Sequence, residues 1–192
     1  MEFTESKKRN KAIFLDRDGV INKIVYRDQK ISCPYKLEEF ELIDGVKSVI
    51  RSFKEMGFYI FIITNQPDIS RGNLLQSDLD KINMFIKHNL LIDQVFVCPH
   101  DNNDNCDCRK PKPGMITRAA QSFDIDLTRS FLIGDSNKDI MAAHEAGVWG
   151  ILIDTDYNKD FFYKTRVATL EQAFNIVCER ERSGNIFRYR QI

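Results

Sequence analysis

The chain has 192 residues, of which 43% are hydrophobic and 29% are charged, and its 28 basic and 28 acidic residues cancel. These totals predict one globular domain over residues 1–192 and argue against a nucleic-acid partner, which would favour a basic surface. No apolar run approaches the roughly 18 residues that span a bilayer, and residues 1–9 lack the apolar segment of a secretory signal, so we expect no membrane partner and a cytoplasmic location.

The first predicted element is a buried strand, because the apolar residues Ala12 to Leu15 precede a glycine turn. Asp16 and Asp18 follow it, and side chains two residues apart on an extended backbone point the same way. Two carboxylates so close repel each other unless a cation such as Mg²⁺ lies between them or one of them holds a proton; the alternative is a plain acidic turn. Residues 23–40 show no clean period and predict a loop over this place.

Helices and strands then alternate along the chain. Apolar residues at helical spacing predict five helices, and short apolar runs predict four further strands. The predicted caps or first residues of the helices are Asp44, Ser77, Pro113, Ser136 and Thr169. The further strands are predicted at 58–63, 94–98, 130–133 and 148–153. The last helix is predicted to end at Arg180, and a charged tail follows over about 181–192.

This alternation predicts an α/β fold, a Rossmann-like, doubly wound parallel sheet with helices on both faces. In such sheets ligands bind beyond the carboxyl ends of the strands. Polar residues follow four of the predicted strands in this way. They are Asp16 and Asp18, Thr64 and Asn65, Arg109 and Lys110, and Asp135. We therefore expect these side chains to line one site.

These side chains suit phosphoryl transfer, in which catalysis consists mostly of positioning and of neutralising oxygen charge. One carboxylate can attack phosphorus, and a second can protonate the leaving oxygen and later deprotonate water. Lys110 and the hydroxyl of Thr64 can hold phosphoryl oxygens, while Arg109 can bind a second anionic group. For Arg109 the plainer alternative is an ion pair with an acid of its own loop.

Three of the five cysteines lie close to a histidine in the sequence. Cys98, His100, Cys106 and Cys108 offer three thiolates and an imidazole, a complete tetrahedral set for Zn²⁺. Because no ligand position stays open for a substrate, the predicted role is structural: a zinc loop over about 98–108 that fixes the arginine and lysine after it. The alternative is a loop with three free thiols. The odd number of cysteines suits a reducing compartment better than a set of disulfides.

Four motifs, in this order, resemble those of the haloacid dehalogenase (HAD) superfamily of phosphotransferases. They are Asp16-Arg17-Asp18-Gly19, Thr64-Asn65, Lys110, and Gly134 to Asp139. The resemblance implies a HAD-like phosphatase in which Asp16 is the nucleophile and forms an aspartyl-phosphate, and Asp18 is the general acid/base. It also implies catalytic roles for Thr64 and Lys110. The implied Mg²⁺ ligands are Asp16, Asp18 (through its main-chain carbonyl) and Asp135. For Asp139, a metal role and a plain helix-dipole role stay open.

The order Cys-Arg-Lys-Pro after the cysteine loop is similar to one capless subgroup, the histidinol-phosphatase-like enzymes, and favours Lys110 over Lys112 as the third-motif lysine. The other motifs resemble the heptose 1,7-bisphosphate 7-phosphatases of this subgroup, whereas the short gap inside the zinc loop resembles histidinol-phosphate phosphatases. This resemblance implies a set of substrate-binding residues. They are Asn22, Asn65, Gln66, Arg71, Arg109 and Ser136.

Two classes of function therefore stand side by side. In the first, the chain is a monomeric phosphatase with catalytic Mg²⁺ and structural Zn²⁺, acting on a small phosphorylated metabolite, either the 7-phosphate of a heptose bisphosphate or histidinol phosphate. In the second, it is a zinc-stabilised binding module whose acids hold a metal without turnover. Phosphate release that is lost in Asp16→Asn would separate the two classes.

Overall fold

The computed structural model describes residues 9–183 of the chain. Its strands are β1 Lys11–Leu15, β2 Val25–Arg27, β3 Lys30–Ser32, β4 Phe58–Asn65, β5 Gln94–Cys98, β6 Phe131–Gly134, β7 Trp149–Ile153 and β8 Arg166–Val167. Six of them form a parallel sheet in the order β5-β4-β1-β6-β7-β8, and β2 and β3 form a separate antiparallel hairpin. The order reverses at β1, as in a doubly wound sheet.

The helices cover both faces of this sheet. They are α1 Val46–Glu55, α2 Gln76–Asn89, α3 Gly114–Phe123, α4 Asn137–Ala146 and α5 Leu170–Ser183. Apolar residues of α1, α2 and α5 share one core with the sheet, and those of α3 and α4 share the other. The predicted doubly wound α/β fold is confirmed.

The position of β1 inside the sheet, with a core on each face, explains why its sequence is a continuous apolar run. Ile13 and Leu15 face one core, Ala12 and Phe14 face the other, and none of the four has exposed surface. A parallel strand buried on both faces needs apolar residues at every position. The next residue, Asp16, leaves the sheet with its N–H bonded to the carbonyl of β6 at 3.0 Å, so its place is set by two packed strands.

Three helices begin elsewhere than predicted. α3 begins at Gly114, so Pro113 is at the cap position and is not the first helical residue; the other two are α1 and α2. α1 follows Gly45, whose φ is 80°, so Asp44 lies outside the cap position. α2 begins at Gln76, since the carbonyl of Leu75 accepts the first helical hydrogen bonds at 3.1 Å, and Ser77 lies within the first turn. In both cases the main chain, without a side-chain cap, sets the start.

The segment 23–40, predicted as a loop, contains the β2–β3 hairpin. Its turn consists of Asp28 and Gln29, with φ of 47° and 62°. A two-residue hairpin turn with positive φ at both positions usually carries Asn-Gly or Asp-Gly. Gln29 in place of the glycine removes that signal, which is why the sequence pattern indicated a loop.

The end of the chain also differs from the prediction. α5 continues past Arg180 to Ser183, so the charged tail begins later; residues 184–192 and 1–8 lie outside the described part. The short strand β8 was not predicted, because two residues are too few to show a period. Between residues 9 and 183, no helix combines the length and the apolar character needed to cross a bilayer.

Candidate active site

The carboxyl ends of β1, β4 and β6 meet the segment after β5 at one cavity of about 420 Å³. This is the edge at which parallel sheets bind ligands. Most of the predicted site residues line the cavity. They are Asp16, Asp18, Thr64, Asn65, Arg71, Arg109, Lys110, Asp135 and Ser136.

Lys110 is a buried cation at the base of the cavity. Its Nζ lies 2.8 Å from Oδ1 of Asp16 and 2.6 Å from Oδ1 of Asp139, and it donates to the carbonyl of Ile63 at 2.8 Å. Burial alone lowers the pKa of Lys110, but the carboxylates of Asp139 and Asp16 outweigh it and raise the pKa. The competing Lys112 is half exposed and lies outside the cavity.

Three carboxylates crowd together beside this lysine. Oxygens of Asp16, Asp135 and Asp139 lie within 4.8 Å of one another. Burial, followed by the charge of Asp139, raises the pKa of Asp16 to about 7, and burial together with Asp16 raises that of Asp135 to about 8. A hard divalent cation relieves such repulsion, so the donor set fits Mg²⁺. The carboxylate of Asp18 does not belong to this group of three. If Asp18 binds Mg²⁺, it would do so through its main-chain carbonyl, as the family resemblance implies.

Three side chains donate hydrogen bonds to the carboxylate of Asp18. Nη2 of Arg17 donates to both of its oxygens at 3.1 and 3.0 Å. Asn22 donates to Oδ1 at 3.0 Å and Gln66 donates to Oδ2 at 2.8 Å. Asn22 and Gln66 are fully buried and do not line the cavity. The structure therefore places these two predicted substrate contacts where they orient Asp18 instead.

β4 ends in two polar residues with different partners. Oγ1 of Thr64 accepts a hydrogen bond from Gln66 at 2.8 Å at the buried end of the cavity. The side chain of Asn65 brackets the main chain of Lys110: its Nδ2 donates to the carbonyl, and its Oδ1 accepts from the N–H, both at 3.0 Å. Asn65 thus fixes the backbone that carries the buried lysine.

The four predicted zinc ligands converge on one point. Sγ of Cys98 lies 3.6 Å from that of Cys106 and 3.7 Å from Nδ1 of His100, and Sγ of Cys108 lies 3.5 and 3.4 Å from the same two partners. Tetrahedral Zn²⁺ with bonds of about 2.3 Å to sulfur would separate its sulfur ligands by about 3.8 Å. The donor set and its spacing therefore fit Zn²⁺.

Arg71 and Arg109 line the cavity and are tied to the zinc loop. Arg71 contacts Asp101 through Nε at 2.6 Å and Nη2 at 2.8 Å, and this hydrogen bonding lowers the pKa of Asp101 to about 2. Arg109 donates to Oδ1 of Asn102 at 2.9 Å and to the carbonyl of His100 at 3.0 Å. The hydrogen-bond partners of Arg109 are thus an amide and a carbonyl oxygen rather than a carboxylate.

Ser136 begins α4 as predicted. Its N–H and Oγ both donate to Oδ2 of Asp139, at 3.0 and 2.5 Å, within a reciprocal capping box. The hydroxyl of Ser136, predicted to contact substrate, is therefore engaged with Asp139 at the edge of the cavity. Asp139 is fully buried and combines two roles: it begins the helix and pairs with Lys110.

Two further residues at the site were not predicted. The hydroxyl of Tyr157 lines the cavity and donates to Oδ2 of Asp135, and buried Asn158 donates to the carbonyl of Asp135 at 2.8 Å. Both follow β7. The rule that polar residues after a strand face the ligand was applied to four predicted strands; applied to the fifth, it would have pointed to this segment.

The comparisons with known proteins agree with this geometry. A family model described as HAD-hydrolase-like matches residues 107–175. A D-glycero-alpha-D-manno-heptose-1,7-bisphosphate 7-phosphatase of Campylobacter jejuni is 35% identical and covers 90% of this chain and 99% of that protein. A D-glycero-beta-D-manno-heptose-1,7-bisphosphate 7-phosphatase of Rhodopseudomonas palustris is 36% identical, covering 88% and 97%.

A solved structure is similar over the same extent. The D,D-heptose 1,7-bisphosphate phosphatase from B. bronchiseptica, complexed with magnesium and phosphate, superposes with a TM-score of 0.75 at 26% identity and covers 89% of this chain and 99% of that one. The resemblance inferred from the four motifs is confirmed. The chain belongs to the HAD-like hydrolases and, within them, to the family of the heptose-bisphosphate 7-phosphatases.

Proposed function

We propose that this chain is a Mg²⁺-dependent phosphatase that removes the 7-phosphate of D-glycero-D-manno-heptose 1,7-bisphosphate. The observation that carries the reaction type is the carboxylate of Asp16, which faces the cavity 2.8 Å from the buried ammonium of Lys110 and beside two further carboxylates. The substrate is proposed from the names of the relatives at 35% and 36% identity.

The chemistry divides into two steps on Asp16. In the first, a carboxylate oxygen of Asp16 attacks phosphorus, the bond from phosphorus to the sugar oxygen breaks, and Asp18 gives a proton to that oxygen. In the second, Asp18 takes a proton from water, the water oxygen attacks phosphorus, and inorganic phosphate leaves Asp16. Asn22 and Gln66 support both steps, because their amides hold the Asp18 side chain that moves the proton.

Charge on the transferred group is balanced by residues of the cavity base. Lys110 keeps its proton because Asp139 and Asp16 raise its pKa, so it offers a fixed positive charge to the phosphoryl oxygens. The hydroxyl of Thr64 offers a hydrogen bond to the same group. Mg²⁺, held by Asp16, Asp135 and the main chain of Asp18, would keep these carboxylates ionised and neutralise phosphoryl charge.

The phosphate group that is not cleaved needs a positively charged binding site of its own. Arg109 lines the same cavity, and its contacts with Asn102 and the carbonyl of His100 fix its direction without neutralising its charge. A planar guanidinium suits a phosphate monoester, which it can bind at two points. Arg109 therefore gives a bisphosphate an advantage over a monophosphate of similar size.

The zinc loop is proposed to be structural. Cys98, His100, Cys106 and Cys108 would fill all four positions of a Zn²⁺ ion, so none is left for water or substrate. The ion would close the loop that carries Arg109. None of the five cysteines, all within residues 9–183, forms a disulfide, which suits a reducing compartment, and on this ground we propose a cytoplasmic location. We also propose that the enzyme is a monomer of a single domain.

The test is phosphate release from purified protein with Mg²⁺, offered the alpha and beta anomers of the heptose bisphosphate and histidinol phosphate separately. We expect the heptose bisphosphates to be preferred, and phosphorus NMR to show loss of the 7-phosphate. Asp16→Asn should abolish release, while Asp80→Asn, an exposed acid on α2, should not. If none of the proteins releases phosphate from any of the three compounds, the binding module is favoured. If histidinol phosphate is hydrolysed in preference, the proposed substrate is wrong.

A further inference from the structure

The phenol of Tyr157 contacts the site from a segment outside the family motifs. Its hydroxyl donates to Oδ2 of Asp135, and its side chain lines the cavity next to Asp16. Asp135 is one of the three carboxylates that fit a divalent cation. One of its two oxygens is thus engaged by a neutral donor, which leaves the other as the natural ligand atom.

The segment that carries Tyr157 is itself firmly held. The next residue, Asn158, is buried and donates to the carbonyl of Asp135 at 2.8 Å and to that of Ile153 at 2.7 Å. Its Oδ1 accepts from Arg166 of β8 at 2.9 Å, and Arg166 also pairs with Asp154. The edge strand of the sheet therefore fixes the turn, and the turn fixes the phenol.

Gly19 borders this contact. A Cβ on Gly19 would lie 1.9 Å from Oδ2 of Asp135 and 2.7 Å from the hydroxyl of Tyr157, and the φ of Gly19 is +87°. Only a glycine leaves room for the two groups to meet. The main chain of the first motif and the phenol thus approach the same carboxylate oxygen of Asp135.

We propose that Tyr157 is a positioning residue that orients the carboxylate of Asp135 and thereby sets the affinity of the site for Mg²⁺. This rests on the proposed function, since it concerns the cation of that reaction. Groups that hydrogen-bond a metal-binding side chain from outside typically change metal affinity or activity 10–100-fold when removed, because they fix the direction of the ligand atom. Tyr157 has no part in the proton transfers assigned to Asp18.

The experiment compares Tyr157→Phe with Tyr163→Phe. Each variant loses one hydroxyl; that of Tyr163 donates to the carbonyl of Gly150 at 3.2 Å, away from the cavity. Mg²⁺ binding is measured by calorimetry on the zinc-loaded protein, and the Mg²⁺ dependence of turnover is measured separately. We expect Tyr157→Phe to weaken Mg²⁺ binding about 10-fold or more, with kcat at saturating Mg²⁺ near that of the parent, and Tyr163→Phe to match the parent in both.

Three other results would overturn the proposal, and a fourth would overturn the proposed function. Unchanged Mg²⁺ affinity in Tyr157→Phe overturns the proposal, and so does tighter binding, which would mean that the phenol occupies the place of the ion. A raised substrate KM with unchanged Mg²⁺ affinity also overturns it, because the hydroxyl would then act on the substrate. If the parent protein neither binds Mg²⁺ nor releases phosphate, while Asp135→Asn behaves identically, the proposed function itself fails.

Discussion

Lys110 and Asp139 form an ion pair of 2.6 Å at the base of the cavity, and their side chains are only 3% and 0% exposed. Breaking a buried pair by removing one partner leaves an uncompensated charge and costs about 3–5 kcal/mol. Lys110→Met should therefore abolish turnover and lower the free energy of unfolding by a few kcal/mol, as measured by urea denaturation. Added Mg²⁺ should restore part of the loss, since it neutralises the same carboxylates.

Lys112→Met is the matched control for that change. Lys112 is half exposed, lies 3.8 Å from an exposed carboxylate and donates to the carbonyl of Cys106 at 2.8 Å, so its removal should cost less stability than removal of the buried Lys110. Equal losses in the two variants would contradict the assignment of Lys110 as the third-motif lysine.

Gly19→Ala should damage the site beyond the cost of its backbone angle. A left-handed φ costs a non-glycine residue about 1–2 kcal/mol, and the new methyl group would displace Asp135 as well. Gly57→Ala serves as the comparison, because Gly57 has a φ of +80° but no atom within 4 Å of its added Cβ. Both variants should lose stability in thermal unfolding, whereas only Gly19→Ala should lose Mg²⁺ affinity. Equal Mg²⁺ affinities would refute the close contact.

Without Mg²⁺, stability should fall as the pH rises. Burial and neighbouring charge raise the pKa of Asp16 to about 7 and that of Asp135 to about 8, from 3.8 in the unfolded chain. The folded protein therefore holds protons that the unfolded chain has released, and the free energy of unfolding decreases between about pH 4 and about pH 8. Urea denaturation in Mg²⁺-free buffer across this range measures the slope. Asp135→Asn should flatten it, and a parent whose stability rises with pH would contradict the argument.

Removal of zinc should act on stability first and on activity as a consequence. Cys106→Ser removes one of the four converging ligands, whereas Cys178→Ser changes a thiol on α5 that contacts the sulfur of Met56 at 3.6 Å. We expect Cys106→Ser to lose bound metal, unfold at a lower temperature and turn over more slowly, because Arg109 and Lys110 follow the loop. Metal analysis and thermal scans check this. Lost activity with an unchanged unfolding temperature would indicate a catalytic metal instead.

The sequence predicted the site well where a side chain follows its own strand. Asp16, Thr64 and Asp135 stand directly at the ends of buried strands, so a local apolar run was enough to place each of them. The convergence of the cysteine and histidine donors at residues 98–108 was also predictable, since four donors within one short loop leave few alternatives. Lys110 was placed by its motif, and the structure shows how Asn65 fixes its backbone.

Prediction was poorer where contacts with distant segments of the chain set the direction of a side chain. Asn22 and Gln66 sit in motifs beside substrate-facing residues, but their side chains turn to the carboxylate of Asp18, and no local period reveals that direction. Tyr157 depends on a turn held by the edge strand β8, which is too short to be read from sequence. Side-chain direction in a turn depends on contacts made across the fold.

Asp139 closes the first turn of α4 with one carboxylate oxygen and holds Lys110 with the other. Fraying of that helix start would therefore also remove one of the three partners of the Lys110 ammonium, the other two being Asp16 and the carbonyl of Ile63. The start of α4 and the charge balance at the base of the cavity thus depend on one side chain, so a substitution of Asp139 would disturb both.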